Sequence, residues 1–280
     1  LSGPAAAVNY VKKLTSDLAI DQAISLDIGG TSTDISLLKQ GMWLVTNEKE
    51  VAGFPIRLPM INVKSIGAGG GSIAHKRPNG RWHVGPESVG SDPGPACYNF
   101  GGTRPTLTDA HFVLGRLPKQ LAGGKVGLNM NRAKEALSQF GQARDFSVLK
   151  TAFSILELAT YDMCGAVRRL AATTGEPIDQ YTIFAIGGAG PLHAAELSTL
   201  LGIRTVIVPI RPSAASALGL LYADALNDFV APFNKTIDEN NTHEIVNLFE
   251  KLETRARRWL KEQQTLFDSL DTVRKLDLRY

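Results

Sequence analysis

The residues best placed for chemistry are Asp27-Ile28-Gly29-Gly30-Thr31-Ser32-Thr33-Asp34, which follow directly on the apolar run Ala23–Leu26. Two adjacent glycines strip a turn of side chains, so a phosphate can approach its backbone N–H groups closely. Thr31, Ser32 and Thr33 add hydroxyl donors to such a cradle. Asp27, carried to the end of a strand, is the natural carboxylate to face Mg²⁺ through its water shell, because Mg²⁺ takes oxygen ligands and keeps several waters. Asp34 is a second carboxylate at the same turn, available to the chemistry or to the turn's own N–H groups. A Gly-Gly pair alone reads equally as a plain hairpin turn. The whole Asp-x-Gly-Gly-Thr-x-Thr-Asp combination between two strands favours phosphate.

A second glycine turn, Gly187-Gly188-Ala189-Gly190, follows the apolar run Thr182–Ile186 and precedes Pro191. Bare backbone at a helix N-terminus accepts a ring or a phosphate, although a tight strand-to-helix turn selects glycine as well. The presence of both turns in one chain favours nucleotide binding at Gly187, Gly188, Ala189 and Gly190. His193 lies in the following helix, as a ligand contact or a packed histidine. A third run, Gly67-Ala68-Gly69-Gly70-Gly71-Ser72, costs considerable conformational entropy to order. Gly69, Gly70, Gly71 and Ser72 therefore read as a backbone surface for substrate or nucleotide, or else as a hinge. The chain has no Gly-x-x-x-x-Gly-Lys-Ser/Thr P-loop, and Gly69-x-Gly71-x-x-Ala74 lacks the strand-to-helix setting of a dinucleotide site.

The elements that must position these residues follow from periodicity. Helices are expected over 4–18, 131–140, from Ser147 to the neighbourhood of Gly175, over 191–201, 213–226 and 243–267. Strands are expected at Ala23–Leu26, Ile35–Leu38, Met42–Val45, Thr182–Ile186 and Arg204–Val208, with Lys39-Gln40-Gly41 as a hairpin turn and an unfinished strand from Leu276. Residues 52–110 are rich in glycine and proline and read as a long irregular segment, a kind that is usually functional.

Composition closes off other classes. Lys and Arg number 30 against 27 Asp and Glu, a net charge of +3 with the signs interleaved, which argues against a nucleic-acid footprint. No apolar run reaches transmembrane length, and no secretory leader opens the sequence. Cys97 and Cys164 make neither a disulfide framework nor a metal set, so a cytoplasmic protein without membrane contact is expected.

Several ordered motifs carry a resemblance. Asp27–Asp34, Ser65–Ala74, Val84–Ser88 through Asp92–Tyr98, Pro105–Ala110, Leu114–Leu117 and Gly187–Ala194 together resemble the hydantoinase A / 5-oxoprolinase family, from Gly3 to the end of the chain. That resemblance implies an α/β fold of the actin-like ATPase (ribonuclease H-like) type: a mixed sheet flanked by helices over 1–280, with an irregular Gly/Pro-rich insertion at 52–125. It implies hydantoin utilisation or a kindred reaction, the ATP-dependent hydrolysis of a cyclic amide (hydantoin, 5-oxoproline or a similar lactam) through phosphorylation of the amide carbonyl oxygen. ATP-dependent carboxylation of the acetone or acetophenone type, or a non-catalytic nucleotide-binding subunit, are the alternatives. The cofactors implied are ATP and Mg²⁺. The first turn would hold phosphate, with Asp27 and Asp34 as the catalytic carboxylates, and the second turn adenosine. Family members carry another Asp-x-Gly-Gly-Thr motif in an N-terminal domain. One such motif occurs here and the chain does not begin with Met, so it is expected to be one lobe of a longer protein, inactive alone, working with that N-terminal domain and a hydantoinase B-type subunit. Where relatives have Asp-Val-His-Thr, this chain has Asn62-Val63-Lys64-Ser65, which implies a different substrate if those positions touch it.

Overall fold

The computed structural model describes residues 2–46, 49–51, 54–56, 60–223, 227–238, 241–262 and 271–278. It falls into two compact units, Leu1–Ala223 and Asp224–Tyr280.

The first unit is built on strands β1 (Gln22–Ile28), β2 (Thr33–Lys39) and β3 (Met42–Trp43), joined by tight turns. The turn between β2 and β3 places Gln40 and Gly41 at positive φ, the geometry that a two-residue hairpin demands. Strand β4 (Lys64–Ile66) shares the outer edge of β2 with β3. Far along the chain, β7 (Thr182–Ile186) and β8 (Thr205–Ile207) add to the other side, parallel to β1. The order is β8-β7-β1-β2-β3, with β4 beside β2, in a mixed sheet. Strands β5 (Ser72–Lys76) and β6 (Trp82–Ser88) form a separate antiparallel hairpin.

Side-chain alternation along the strands splits the core into two layers, as the period of two requires. Ile24, Leu26, Ile28, Ile35, Leu37, Ile183 and Ala185 face one side. There they meet helices α2 (Leu107–Val113), α4 (Val148–Ala171) and α5 (Gly190–Leu201). Ala23, Leu38, Phe184 and Ile186 face the other side, with Ala7 and Val11 of α1 (Ser2–Asp17) and Ala215 of α6 (Ala215–Leu221). Helix α3 (Met130–Gly141) is capped by the Asn129 side chain, which accepts from two backbone N–H groups, and α4 by Ser147, which accepts from the Lys150 N–H.

Most expected elements are present, with shifted ends. Helix α6 stops at Leu221, short of the expected 226, and residues 224–226 lie outside the described residues. The segment from 52 to 125 is less irregular than its composition indicates. It holds the β5–β6 hairpin and α2, and its Ala68, Ala74, Val84, Leu107 and Ala110 join the same core as β1. It is therefore a layer of the fold.

In the second unit, α7 (Thr242–Glu262) buries Ile245 and half-buries Leu248, Leu252, Ala256, Trp259 and Leu260, the expected inner face. The expected extension to 267 lies outside the described residues. Residues 276–278 form no strand, and the rest of that expected strand also lies outside them.

Candidate functional site

Strands β1 and β7 are parallel neighbours, with Asp27 opposite Ile186. Their C-terminal ends therefore lie side by side, and each runs straight into one of the glycine turns. In open α/β sheets this end is where ligands bind. The turns are joined directly: the Ala189 N–H donates to the Ile28 carbonyl at 2.9 Å. Gly187 has φ +78°, and a Cβ there would overlap the Asp27 Oδ1 and the Ile28 carbonyl oxygen. Glycine at 187 is thus demanded by the chain itself.

Gly29, Gly30 and Gly188 differ. None has a positive φ, and a Cβ added at any of them meets nothing within 4 Å. Nothing among the described residues requires glycine there, and the bare backbone is open to an outside group. Among the described residues, no acceptor pairs with the N–H of Gly30, Thr31 or Gly188. Thr31 is exposed and Ser32 half-buried.

Asp27 and Asp34 face each other across the β1–β2 ladder. Burial of the Asp27 carboxyl, and secondarily the Asp34 charge, push its pKa up to about 6. Among the described residues no hydrogen-bond donor relieves it. Asp34 is better placed: the Ser65 hydroxyl donates to its Oδ1 and the Ser32 hydroxyl to its Oδ2 at 3.3 Å. A partly buried, unpaired carboxylate is an oxygen donor of the kind a hydrated divalent cation takes. Among the described residues no cluster of three or more His, Cys, Asp or Glu is placed to hold a metal on protein ligands alone.

Two expected contacts lie elsewhere. Thr33 is fully buried at the start of β2, and its hydroxyl donates to the Ala68 carbonyl at 2.7 Å. Gly69, Gly70, Gly71 and Ser72 are buried under the first turn, away from an open surface. The Gly70 N–H donates to the Gly29 carbonyl at 3.0 Å, and the Gly71 N–H to that of Gly30 at 2.7 Å. A Cβ at Gly69 would lie 2.5 Å from the Thr31 nitrogen. These glycines let one loop press against another, and the packing gives them a supporting place. Ala189 is buried and Gly190 packs on Leu26, so only Gly188 of the second turn keeps an exposed face. Lys64, in β4, is exposed one residue before Ser65.

Sequence reasoning noted Thr106, Thr108 and Asp109 within the Pro105–Ala110 motif without giving them a role. The buried Asp109 carboxylate accepts from the N–H groups of Ala96, Cys97 and Thr106 and from the Thr106 hydroxyl. It thereby fixes the 90–98 loop and closes a capping box at the start of α2. The Thr-x-x-Asp spacing was the readable signal. A pairing of His111 with His193, 82 positions apart, had no local signal.

This mixed sheet flanked by helices, with two glycine turns joined at one end, defines an α/β protein of the actin-like ATPase type. The chain belongs to the Hydantoinase/oxoprolinase family, whose profile matches residues 1–229. It is 35% identical to the caprolactamase subunit alpha of Pseudomonas jessenii over 85% of this chain and 34% of that one. The crystal structure of the ATP-dependent caprolactamase superposes with a TM-score of 0.78 at 31% identity, covering 95% of this chain and 39% of that one. An acetone carboxylase structure gives 0.71 at 32% identity, covering 78% and 31%. The 5-oxoprolinase 1 of Arabidopsis thaliana is 32% identical over 100% of this chain and 23% of its own length. The chain thus spans well under half the length of these relatives. No helix among the described residues is long and apolar enough to cross a membrane.

Proposed function

We propose that this chain supplies one half of the nucleotide site of an ATP-dependent enzyme that hydrolyses a cyclic amide. The observation that carries the reading is the joined pair of turns with three glycines, Gly29, Gly30 and Gly188, that the chain's own packing does not require. The caprolactamase and 5-oxoprolinase relatives supply the substrate class.

ATP would contribute a phosphoryl group that makes the amide carbonyl oxygen a leaving group, and Mg²⁺ would offset the phosphate charge. Phosphoryl transfer asks the protein mainly for positioning and charge stabilisation. In this reading the Gly30 and Thr31 N–H groups and the Thr31 and Ser32 hydroxyls hold phosphate oxygens. Asp27 orients the hydrated cation. Asp27 would hold that cation through its water shell, and the cation would offset the carboxylate charge that burial disfavours. Asp34, held by Ser65 and Ser32, maintains the negative field beside Asp27. Thr33 and Gly69–Ser72 keep the turn in shape. Gly188 offers a flat backbone surface to adenosine. An N-terminal domain of the longer protein closes the cleft as the other lobe, and a hydantoinase B-type subunit completes the assembly. The free cysteines Cys97 and Cys164 fit a cytoplasmic setting.

The second reading, ATP-dependent carboxylation, is favoured by the acetone carboxylase match. One experiment separates them. ATP turnover by the full-length protein with its partner subunit is measured against a panel of lactams, hydantoins and ketones, with and without bicarbonate. Lactam-stimulated turnover indifferent to bicarbonate supports hydrolysis, and ketone-stimulated, bicarbonate-dependent turnover overturns it. Phosphates of soaked Mg-ATP lying away from Gly30 and Thr31 would overturn the site.

A further inference from the structure

Helix α2 is linked to both glycine turns, at each of its two ends through one intermediate residue. At its start, the Thr108 N–H and hydroxyl both donate to the Gly70 carbonyl, at 2.9 and 2.8 Å. Gly70 in turn donates to the carbonyl of Gly29 in the first turn. One helical turn later, His111 Nε2 meets His193 Nε2 at 3.1 Å, with the rings nearly perpendicular at 80°. His193 stands three residues after Gly190, in the first turn of α5, which the second glycine turn opens. Just past α2, Arg116 pairs with Glu196, also on α5, at 2.7 Å. The Arg116 N–H donates to the His111 carbonyl, so this second joint is tied to the first.

The histidine joint is buried on both sides, each residue about 1% exposed. Burial, with Arg116 nearby and His193 beside His111, pushes the His111 pKa down to about 2 and that of His193 to about 4, so both rings are neutral near pH 7. An Nε2–Nε2 bond then needs one proton between the two atoms. His111 Nδ1 is buried without a partner. If His111 donates, that atom is a lone pair; if His193 donates, it is an orphaned N–H, the rarer and costlier case. The less costly arrangement at His111 puts its proton on Nε2 and that of His193 on Nδ1. The bond is directional and fixes the ring orientations of both residues.

We infer that α2 is a brace that couples the two turns, with His111 and Thr108 as positioning residues for nucleotide: Thr108 sets the phosphate turn through Gly70, and His111 sets the adenosine turn through His193. The inference rests on the nucleotide reading above. Its consequence is that a change at one end of α2 is felt at the turn attached to the other end.

The test uses the full-length protein in its assembly and two partial ligands, adenosine for the second turn and magnesium tripolyphosphate for the first, with binding measured by calorimetry. The variant His111→Leu/His193→Leu removes both polar partners together, which leaves no orphan and preserves folding best. It should weaken both ligands, each by about fivefold or more, the usual lower range of coupling between sites. His111→Gln keeps an N–H near the Nε2 position and should retain wild-type affinity for both. Thr108→Val, at the other end, should weaken adenosine as well as tripolyphosphate, and it carries the test if the double variant fails to fold. Loss confined to the turn nearest each substitution, or no loss, overturns the brace. Wild-type protein that binds neither ligand overturns the nucleotide reading and the brace with it, a result visible before any variant is made.

Discussion

Asp27 is held in a state that the folded chain tolerates poorly on its own. Its pKa is raised from the ordinary 3.8 to about 6, so between those pH values the folded state keeps a proton that the unfolded state has released. Its stabilising contribution is complete below the ordinary carboxylate range and is lost as pH rises through about 6. Asp27→Asn should therefore raise the melting temperature of the nucleotide-free chain at pH 7.5 and change it little at pH 3.5. The gain is about 1 kcal/mol, after discounting the shift for a carboxyl that is partly exposed to water. The same variant should abolish nucleotide-dependent turnover. A melt at pH 7.5 that falls would contradict this account of the residue. The glycines give a second contrast. Gly188→Ala adds a methyl to open space at an ordinary φ, so stability should hold while adenosine affinity drops. Gly187→Ala forces a positive φ and a backbone overlap, and should cost at least about 2 kcal/mol in urea denaturation before any ligand is considered. Equal losses of stability in the two variants would remove the argument that Gly188 is kept for a ligand.

At the scale of elements, the site is a set of loops clamped by α2, and the clamp's weakest point for mutation is Asp109. Four donors converge on its buried carboxylate from three backbone positions and one hydroxyl. Asp109→Ala would leave several of these donors buried and unpaired, so a loss of about 3 kcal/mol or more is expected by urea denaturation. Asp109→Asn, which keeps the shape and part of the accepting capacity, should lose less. The elements themselves were legible because their signals are local. Thr182–Ile186 was readable to the residue, since a continuous apolar run bounded by Tyr181 and Gly187 has only one reading as a buried strand. Ser147 and Gly202 mark helix ends by capping chemistry. The 52–125 segment was harder because its order comes from partners far along the chain. Ala68 is held by Thr33 and Gly70 by Gly29 and Thr108. Glycine composition marks such close approach and loose hinges alike, so Gly69–Ser72 read as a surface for substrate or nucleotide or as a hinge, whereas these residues are buried beneath the first turn. The His111–His193 pair is the extreme case: the two histidines sit on different helices, brought together by tertiary packing such as that of α2 against α4 and α4 against α5.

At the scale of the whole molecule, the sheet leaves the candidate site open. Asp27, Gly29, Gly30, Thr31 and Gly188 lie at the C-terminal ends of two adjacent strands, and among the described residues the N–H groups of Gly30, Thr31 and Gly188 have no acceptor. An ATP molecule gripped on one side keeps much of its surface in water, and tight small-molecule sites bury most of the ligand. The 280-residue chain alone should therefore bind Mg-ATP at least about tenfold more weakly than the full-length protein, with turnover near background; a second set of contacts worth only 1.4 kcal/mol produces that factor. Calorimetric titration of the two proteins side by side measures it. Adding a separately expressed N-terminal domain to this chain should restore part of the affinity, because the proposed second lobe would then arrive as a ligand-dependent partner. The increase should depend on Thr31 and Gly188 together, since a two-sided grip weakened on this side gives the other lobe less to close upon. Affinity of the isolated chain equal to that of the full-length protein would show that one lobe suffices, and the reading of this chain as half of a clamp would have to be abandoned.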